Sequence, residues 1–322
     1  MEIKVCKTIE WTEQEWQTYA FGFNEVFHLS ASVDFFKDKY LSVHNGYALH
    51  SLLLNDDGEV GGGITVMPCV YTCGDAEFLN GLAVDVFIRE SFRIDPLMLR
   101  RMYKKLRPLL EAEGVRAVTA VPNATAYPYW KNVVKWKDVG DVNYWALPLR
   151  AGNVLGKLRA LLNCGSLVFS YCVYALSALT TLFSGKQKTY EYSISMSDKY
   201  ILHKFSSGLY TIVNDNGCRV VYRIVDEDGA KAAYIISATK DGLRSATAFR
   251  KAVGIILLKE KADIIIYVGK MGIFQTLLIK IPKKLEPKRL PLMFDVITPG
   301  EMFSDAYDIN KWDFGLLNYD VR

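Results

Sequence analysis

One order of elements occurs twice in this chain of 322 residues, and that constrains its fold more than any single motif. The stretch YALHSLLLNDDGEVGGGITVMP (47–68) reads as an apolar strand, an Asn-Asp-Asp-Gly corner and a second strand, and LYTIVNDNGCRVVYRIV (209–225) repeats it with Asn-Asp-Asn-Gly. Gly58 and Gly217 fall at the same place in the two corners, where a tight hairpin needs a residue free to take positive φ. Downstream, LMLRRMYKKLRPLLEAEGVRAVTAV (97–121) has the 3.6-residue apolar period of a helix and then a short β run; ATAFRKAVGIILLKEKADIIIYV (246–268) has the same form. In the first of these helices Leu99, Met102, Leu106, Leu109 and Leu110 make one apolar stripe, with Arg100, Arg101, Lys104, Lys105 and Arg107 around the remainder, as expected of a helix packed on a sheet. The repeat predicts an α/β chain of two domains, each a mixed sheet with helices, over 1–150 and 191–322, joined by an apolar helical connector over 151–190.

The connector contains LLNCGSLVFSYCVYALSALTTLF (161–183), 23 residues without a charge, with Lys157 and Arg159 before it and Lys186 and Lys188 after. That length could cross a bilayer. Asn163, Ser166, Ser170, Ser177 and Thr181 nevertheless recur on one side of a helix, which makes the segment weakly amphipathic. A spanning helix would also put two similar domains on opposite sides of a membrane. The sequence therefore favours a helix or helical hairpin packed between the domains, with a helix lying in the membrane interface as the second reading.

Half of the residues are apolar, enough for two cores, and the opening MEIKVCKTIEWTEQEW has no apolar run behind a basic start. A cytoplasmic protein is expected, with peripheral membrane contact through 161–183 left open. The net charge of +4 divides into −3 over 1–150 (16 Lys and Arg against 19 Asp and Glu) and +7 over 151–322 (23 against 16), densest in KIPKKLEPKR (280–289). No nucleic-acid motif accompanies that charge, so no nucleic-acid partner is expected. Cys6, Cys69, Cys73, Cys164, Cys172 and Cys218 read as reduced thiols. Cys69 and Cys73 have no further Cys or His nearby to complete a zinc site, and His28, His44, His50 and His203 are scattered, so no metal is expected.

The element order, together with VPNATAYPYWKNVVKWKDVGDVNYWALPLR (121–150), resembles the GNAT superfamily of acyl-CoA-dependent N-acetyltransferases, and more narrowly tandem-GNAT proteins of bacterial surface-polysaccharide loci. The resemblance covers most of the chain, strongly over 20–150 and weakly over 205–322, as a degenerate second copy would give. It implies direct transfer of an acetyl or other acyl group from acyl-CoA to an amine, the acceptor being a small molecule such as a nucleotide- or lipid-linked amino sugar. It further implies that the fourth strand, carrying Val84 and Val86, pairs with the pantetheine amides, and that the next helix start holds the pyrophosphate, where N–H groups lack partners and the dipole favours negative charge. Asn123 takes the place of the family's Asn after the fifth strand. A tyrosine often protonates the departing thiolate, which makes Tyr129, flanked by Tyr127, the candidate acid.

Two departures bear on that expectation. The family's loop reads basic-x-x-Gly-x-Gly or Ala, whereas this chain has RIDPLM (93–98): the basic residue stays as Arg93 and both small residues are lost. Asp95 suits an N-cap and Pro96 a first helical position, so the helix is expected to cap itself and leave phosphate contact to Arg89 and Arg93. The family's tyrosine also aligns with Trp130, which cannot usefully protonate a thiolate. In the second copy, TKDGLRSAT (239–247) offers Lys240, Gly242, Arg244 and Ser245 to an anion, equally readable as a plain loop. Beside the acyltransferase reading stand a catalytically degenerate tandem-GNAT protein that binds a glycan intermediate or partner, and a Fem-type aminoacyl transferase, disfavoured by the near-neutral charge that a tRNA partner would not suit.

Overall fold

The computed structural model describes residues 1–156, 158–183, 190–227, 229–239, 242–271 and 277–318. Along the chain run strand β1 (Glu2–Lys7), helices α1 (Glu13–Phe27) and α2 (Val33–Leu41), strands β2 (Leu49–Leu54), β3 (Val60–Cys73) and β4 (Ala76–Ile88), helix α3 (Met98–Ala112), and strands β5 (Val115–Ala120), β6 (Lys137–Asp141) and β7 (Tyr144–Pro148). Next come helices α4 (Ala151–Leu155) and α5 (Arg159–Leu182), strand β8 (Tyr192–Ile194) and helix α6 (Lys199–Ser206). The remainder holds β9 (Thr211–Asp215), β10 (Cys218–Glu227), β11 (Ala230–Ala238), α7 (Gly242–Ile255), β12 (Ile264–Val268), β13 (Ile279–Lys280), β14 (Pro291–Val296) and β15 (Trp312–Asp313). Both hairpins fall where the sequence puts them. Asn216 and Gly217 both have positive φ and join β9 to β10 as a two-residue turn, whereas Gly58 closes a longer corner in which the Asn55 side chain accepts the Asp57 and Glu59 N–H groups.

The chain forms two units. The first comprises Met1–Asp141, Tyr190–Lys204 and Arg289–Trp312. Its main sheet has the order β1-β2-β3-β4-β5-β14-β6, antiparallel except for the parallel pair β4 and β5, and β8 pairs with the far end of β3. Helix α3 buries Leu99, Met102, Tyr103, Leu106 and Leu110 against Leu49, Leu53, Ile64 and Val66, while Leu109 of the expected stripe is only partly buried. Tyr19 of α1 reaches Thr65 of β3 instead; because Thr65 alternates with Ile64 and Val66, α1 and α3 cover opposite faces of the sheet. Close packing on both faces depends on glycine: a Cβ on Gly63 would come 2.9 Å from the Tyr19 ring of α1, and one on Gly61 2.1 Å from the ring of Phe92, which belongs to the core under α3.

The second unit comprises Val142–Thr189, Phe205–Lys288 and Asp313–Arg322. Its sheet has the order β13-β7-β12-β11-β10-β9, with β11 and β12 the parallel pair and α7 packing Ala248, Phe249, Ala252 and Val253 into the core. The units are therefore interleaved, not consecutive as the boundaries 1–150, 151–190 and 191–322 expect. Strand β7 follows β6 in sequence yet pairs with β12, and β14, from the C-terminal half, pairs with both β5 and β6. Each sheet is completed by a strand from the other half of the chain. The physical reason is register: β7 matches β12 over five residues, Ile264 to Pro148 through Val268 to Tyr144, and the gap beside β5 is filled by β14.

Helix α5 is a single helix of the second unit, not a hairpin, and its orientation reverses the usual one. Its polar stripe faces the protein: Ser170 donates to the Pro148 carbonyl (2.6 Å), Ser166 to that of Leu149 (3.1 Å), and the Asn163 side chain donates to the Asn153 side-chain oxygen (3.0 Å) and accepts the Asn153 main-chain N–H (3.2 Å). Arg250 of α7 donates to Ser177 (3.0 Å) and covers the Tyr174 ring at 4.5 Å. In its most apolar 18-residue window only 11% of residues are buried, which corrects the expectation of a helix packed away between domains.

Candidate functional site

In the first unit the parallel strands β4 and β5 run together only from Leu79 to Leu82 of β4, ending at Leu82 opposite Thr119. Strand β5 pairs β14 on its other edge over Ala117–Ala120 and ends there, one residue past Thr119, while Ala83–Ile88 of β4 continue against β3 alone. The two strands thus part company in the pairing, leaving one edge of β4 without a sheet partner among the described residues over Ala83–Ile88. Just beyond the parting, Thr65 pairs with Val84 but Gly63 with Phe87, so Asp85 and Val86 form a bulge, with Asp85 at φ 50°. A non-glycine residue in that region costs energy unless its surroundings hold it, although Asp is among the residues that tolerate it best.

The support for Asp85 is a buried polar chain. Its carboxylate pairs with Lys39 Nζ at 2.6 Å, both side chains being 9% exposed, and accepts the Tyr40 hydroxyl at 2.7 Å. Behind Tyr40 follow Tyr19 (2.8 Å), Thr65 (3.0 Å from Tyr19), His50 Nδ1 (3.1 Å from Thr65) and Thr8 (2.7 Å from His50 Nε2). A carboxylate can only accept, so from the imidazole onward the donors run one way: His50 Nδ1–H to Thr65, then to Tyr19, Tyr40 and Asp85, while the Thr8 hydroxyl beside His50 Nε2 donates to the Ala48 carbonyl at 3.1 Å. Burial pushes His50 down to about 3, which keeps the imidazole neutral. Burial, with the Asp85 charge second, also raises Tyr40 well above the ordinary phenol range. Sequence reasoning missed Asp85, although a lone acid inside the apolar run LAVDVFI was a visible signal.

The expected site residues fall into two groups. Val84 and Val86 lie on the parted stretch of β4. At its end Arg89 is bound to Glu25 through Nε (3.1 Å) and a terminal nitrogen (2.9 Å) and lies over the Phe21 ring, so its charge is already balanced. Arg93 is exposed and donates from Nε to the Ile88 carbonyl at 2.8 Å. Helix α3 begins at Met98, two residues later than a first helical position at Pro96; Asp95 still serves its entrance, accepting the Leu97 N–H at 2.8 Å and pairing with Arg101 at 3.1 Å.

Past the end of β5, Asn123 caps the turn by accepting the Ala126 N–H (2.8 Å) and, through its carbonyl, the Tyr127 N–H (2.9 Å). Tyr127 donates to Asp138 (2.9 Å), accepts from Lys131 (3.0 Å) and carries the Arg289 guanidinium 4.6 Å over its ring. Its hydroxyl is thereby committed. Tyr129, 50% exposed, opens a π-helical turn over Tyr129–Val134, while Trp130 packs against Trp136 and Tyr103 in the core. In the second unit Gly242 opens α7 with φ 54°, Arg244 is exposed, and the buried Ser245 hydroxyl donates to the Gly242 carbonyl at 2.9 Å. Lys240 lies outside the described residues, among which no group of three His, Cys, Asp or Glu side chains gathers as a metal site.

This fold of mixed sheets with helices is similar to that of GCN5-related N-acetyltransferases. Solved structures with the same fold include a GCN5-related N-acetyltransferase from Anabaena variabilis (TM-score 0.59, 11% identity, covering 92% of this chain and 73% of that one). Another from Kribbella flavida has a TM-score of 0.57 and 13% identity, covering 92% and 72%, and Eis1 from Mycobacterium abscessus has 0.52 and 11%, covering 92% and 74%. No family model matches the chain, and no curated protein matches it.

Proposed function

We propose that the first unit binds an acyl-CoA thioester and transfers its acyl group to an amine. The observation that carries this reading is the parting of β4 from β5: unpaired strand edge over Ala83–Ile88 suits the extended, amide-bearing arm of such a donor. In the reaction the amine nitrogen attacks the thioester carbonyl, a C–N bond replaces the C–S bond, and the proton shed by nitrogen balances the one that the thiolate takes up. Tyr129 is the group we assign to protonate the thiolate, being exposed in the segment that follows β5, while Tyr127 and Asn123 hold its turn in place. Arg93 meets the donor's phosphates. The acceptor class we propose, an amino sugar destined for a surface glycan, rests on the sequence resemblance alone.

A second reading, a protein that keeps the fold for binding without turnover, is favoured by Asp95, whose carboxylate takes a donor at the α3 entrance and repels a phosphate there. Thermal unfolding titrated with acetyl-CoA and with CoA separates the two, since a ligand at 100 times its Kd stabilises the native state by about 2.7 kcal/mol. A concentration-dependent rise, followed by thiol release on adding glucosamine-type acceptors, is the expected outcome. No shift at millimolar ligand would leave the binding-protein reading standing.

A further inference from the structure

We infer that the outward face of α5 docks on a bilayer surface carrying anionic lipid, with the helix lying in the plane of the interface. The inference does not depend on acyl transfer. A surface helix normally buries its apolar stripe and shows its polar one. Helix α5 does the opposite: Ser166, Ser170 and Asn163 are spent on main-chain and side-chain partners of the second unit, and Leu158, Leu161, Val168, Phe169, Leu176, Leu179, Leu182 and Phe183 are exposed. At 1.5 Å per residue its 24 residues give an apolar strip about 36 Å long, which water disfavours throughout.

Two observations select a lipid surface as the occupant. From Ala160 to Phe183 the helix carries no charge at all, so it offers no ion pair or polar rim to fix a protein partner in register. The charge flanks it in the sequence instead. Lys157 and Arg159 precede the strip, Lys186 and Lys188 follow it in sequence, and the second unit holds 20 Lys and Arg against 10 Asp and Glu, a net +10, while the first unit holds 19 against 25, a net −6. An apolar strip bounded by cations on the basic half of the protein matches the layered chemistry of anionic headgroups over acyl chains. Spanning is a different matter: one side of α5 is fastened along its length to β7, α4 and α7, so lipid cannot surround it.

The full chain, floated with vesicles of phosphatidylcholine alone or mixed with phosphatidylserine, tests this. The expected result is flotation with the mixed vesicles and a blue-shifted emission from an environment-sensitive dye on Cys172, which is exposed on this helix. Leu176→Glu with Leu179→Glu, at positions 62% and 60% exposed and so outside the core, reduces the bound fraction roughly tenfold or more and leaves the unfolding midpoint in place. Absence of flotation, flotation that these substitutions leave unchanged, or a dimer in light scattering that they dissociate without any vesicle binding would each overturn the inference.

Discussion

The two units keep the same parting of parallel strands and furnish it differently. In the second, β11 pairs with β12 from Ala232 to Ile235 and continues for Ile236, Ser237 and Ala238; in the first, β4 continues for six residues beyond Leu82. Both copies place a bulge immediately past the parting, since Val221 pairs with Ser237 and Tyr222 with Ile235, leaving Ile236 over. The bulge residue is Asp85, tied to Lys39 and a chain of hydroxyls, in one copy, and Ile236, a buried apolar side chain, in the other. A duplicated backbone device has thus become a polar, pre-organised feature in one unit and plain core in its counterpart. The unpaired edge is also longer in the first unit, six residues against three, and it is there that we propose donor binding.

Breaking the ion pair has the largest expected effect. Asp85→Ala removes the carboxylate that pairs with the buried Lys39 and accepts the Tyr40 hydroxyl, and is expected to cost about 3–5 kcal/mol in denaturant unfolding, whereas Asp85→Asn, which keeps the Tyr40 bond and tolerates positive φ, costs less. Equal costs would show that the charge contributes nothing. Acid supplies the next test. His50 is held neutral down to about 3, while in the unfolded chain it takes a proton below its ordinary 6.5, so the unfolded state binds more protons within that window. Stability is full above 6.5 and falls by about 1.4 kcal/mol per pH unit as the pH drops toward 3. His50→Gln should flatten that part of a stability-against-pH curve; an unchanged slope would mean that carboxylates elsewhere set it.

For turnover, Tyr129→Phe is expected to lower kcat by roughly a hundredfold with KM little changed, and Tyr127→Phe to act through KM and stability instead. The smallest effect sharpens the comparison most directly. Arg93→Ala should weaken CoA binding by about tenfold and Arg244→Ala should leave it unchanged, as read by the CoA-dependent rise in unfolding temperature. The reverse pattern would move the donor to the second unit.

Local elements were legible in the sequence because their signals are local: the two glycine corners, the period of α3, the short β runs after each helix. Strand exchange was not, because YWALP and PLMFDV are interchangeable short apolar strands by composition, and partner choice is settled only by registers more than a hundred residues apart. The candidate site divides the same way. Arg93 and Tyr129 could be found by counting from neighbours, but Asp85 acquires meaning only from Lys39 and Tyr40, which folding brings to it. For α5, spacing revealed a polar stripe without saying which way it faces; the carbonyls of Pro148 and Leu149 decide that.

The exchange of β7 and β14 also dictates an order of events during synthesis. Strand β5 ends at Ala120 and waits for Pro291–Val296, so its edge stays bare while some 170 further residues emerge, and the N-terminal half cannot finish folding at the ribosome ahead of the C-terminal half. Such a nascent edge invites pairing with other chains. A fragment stopped at residue 150 would carry that open edge permanently and expose β7 with nothing to pair, so the halves of this protein must be made, and inherited, together.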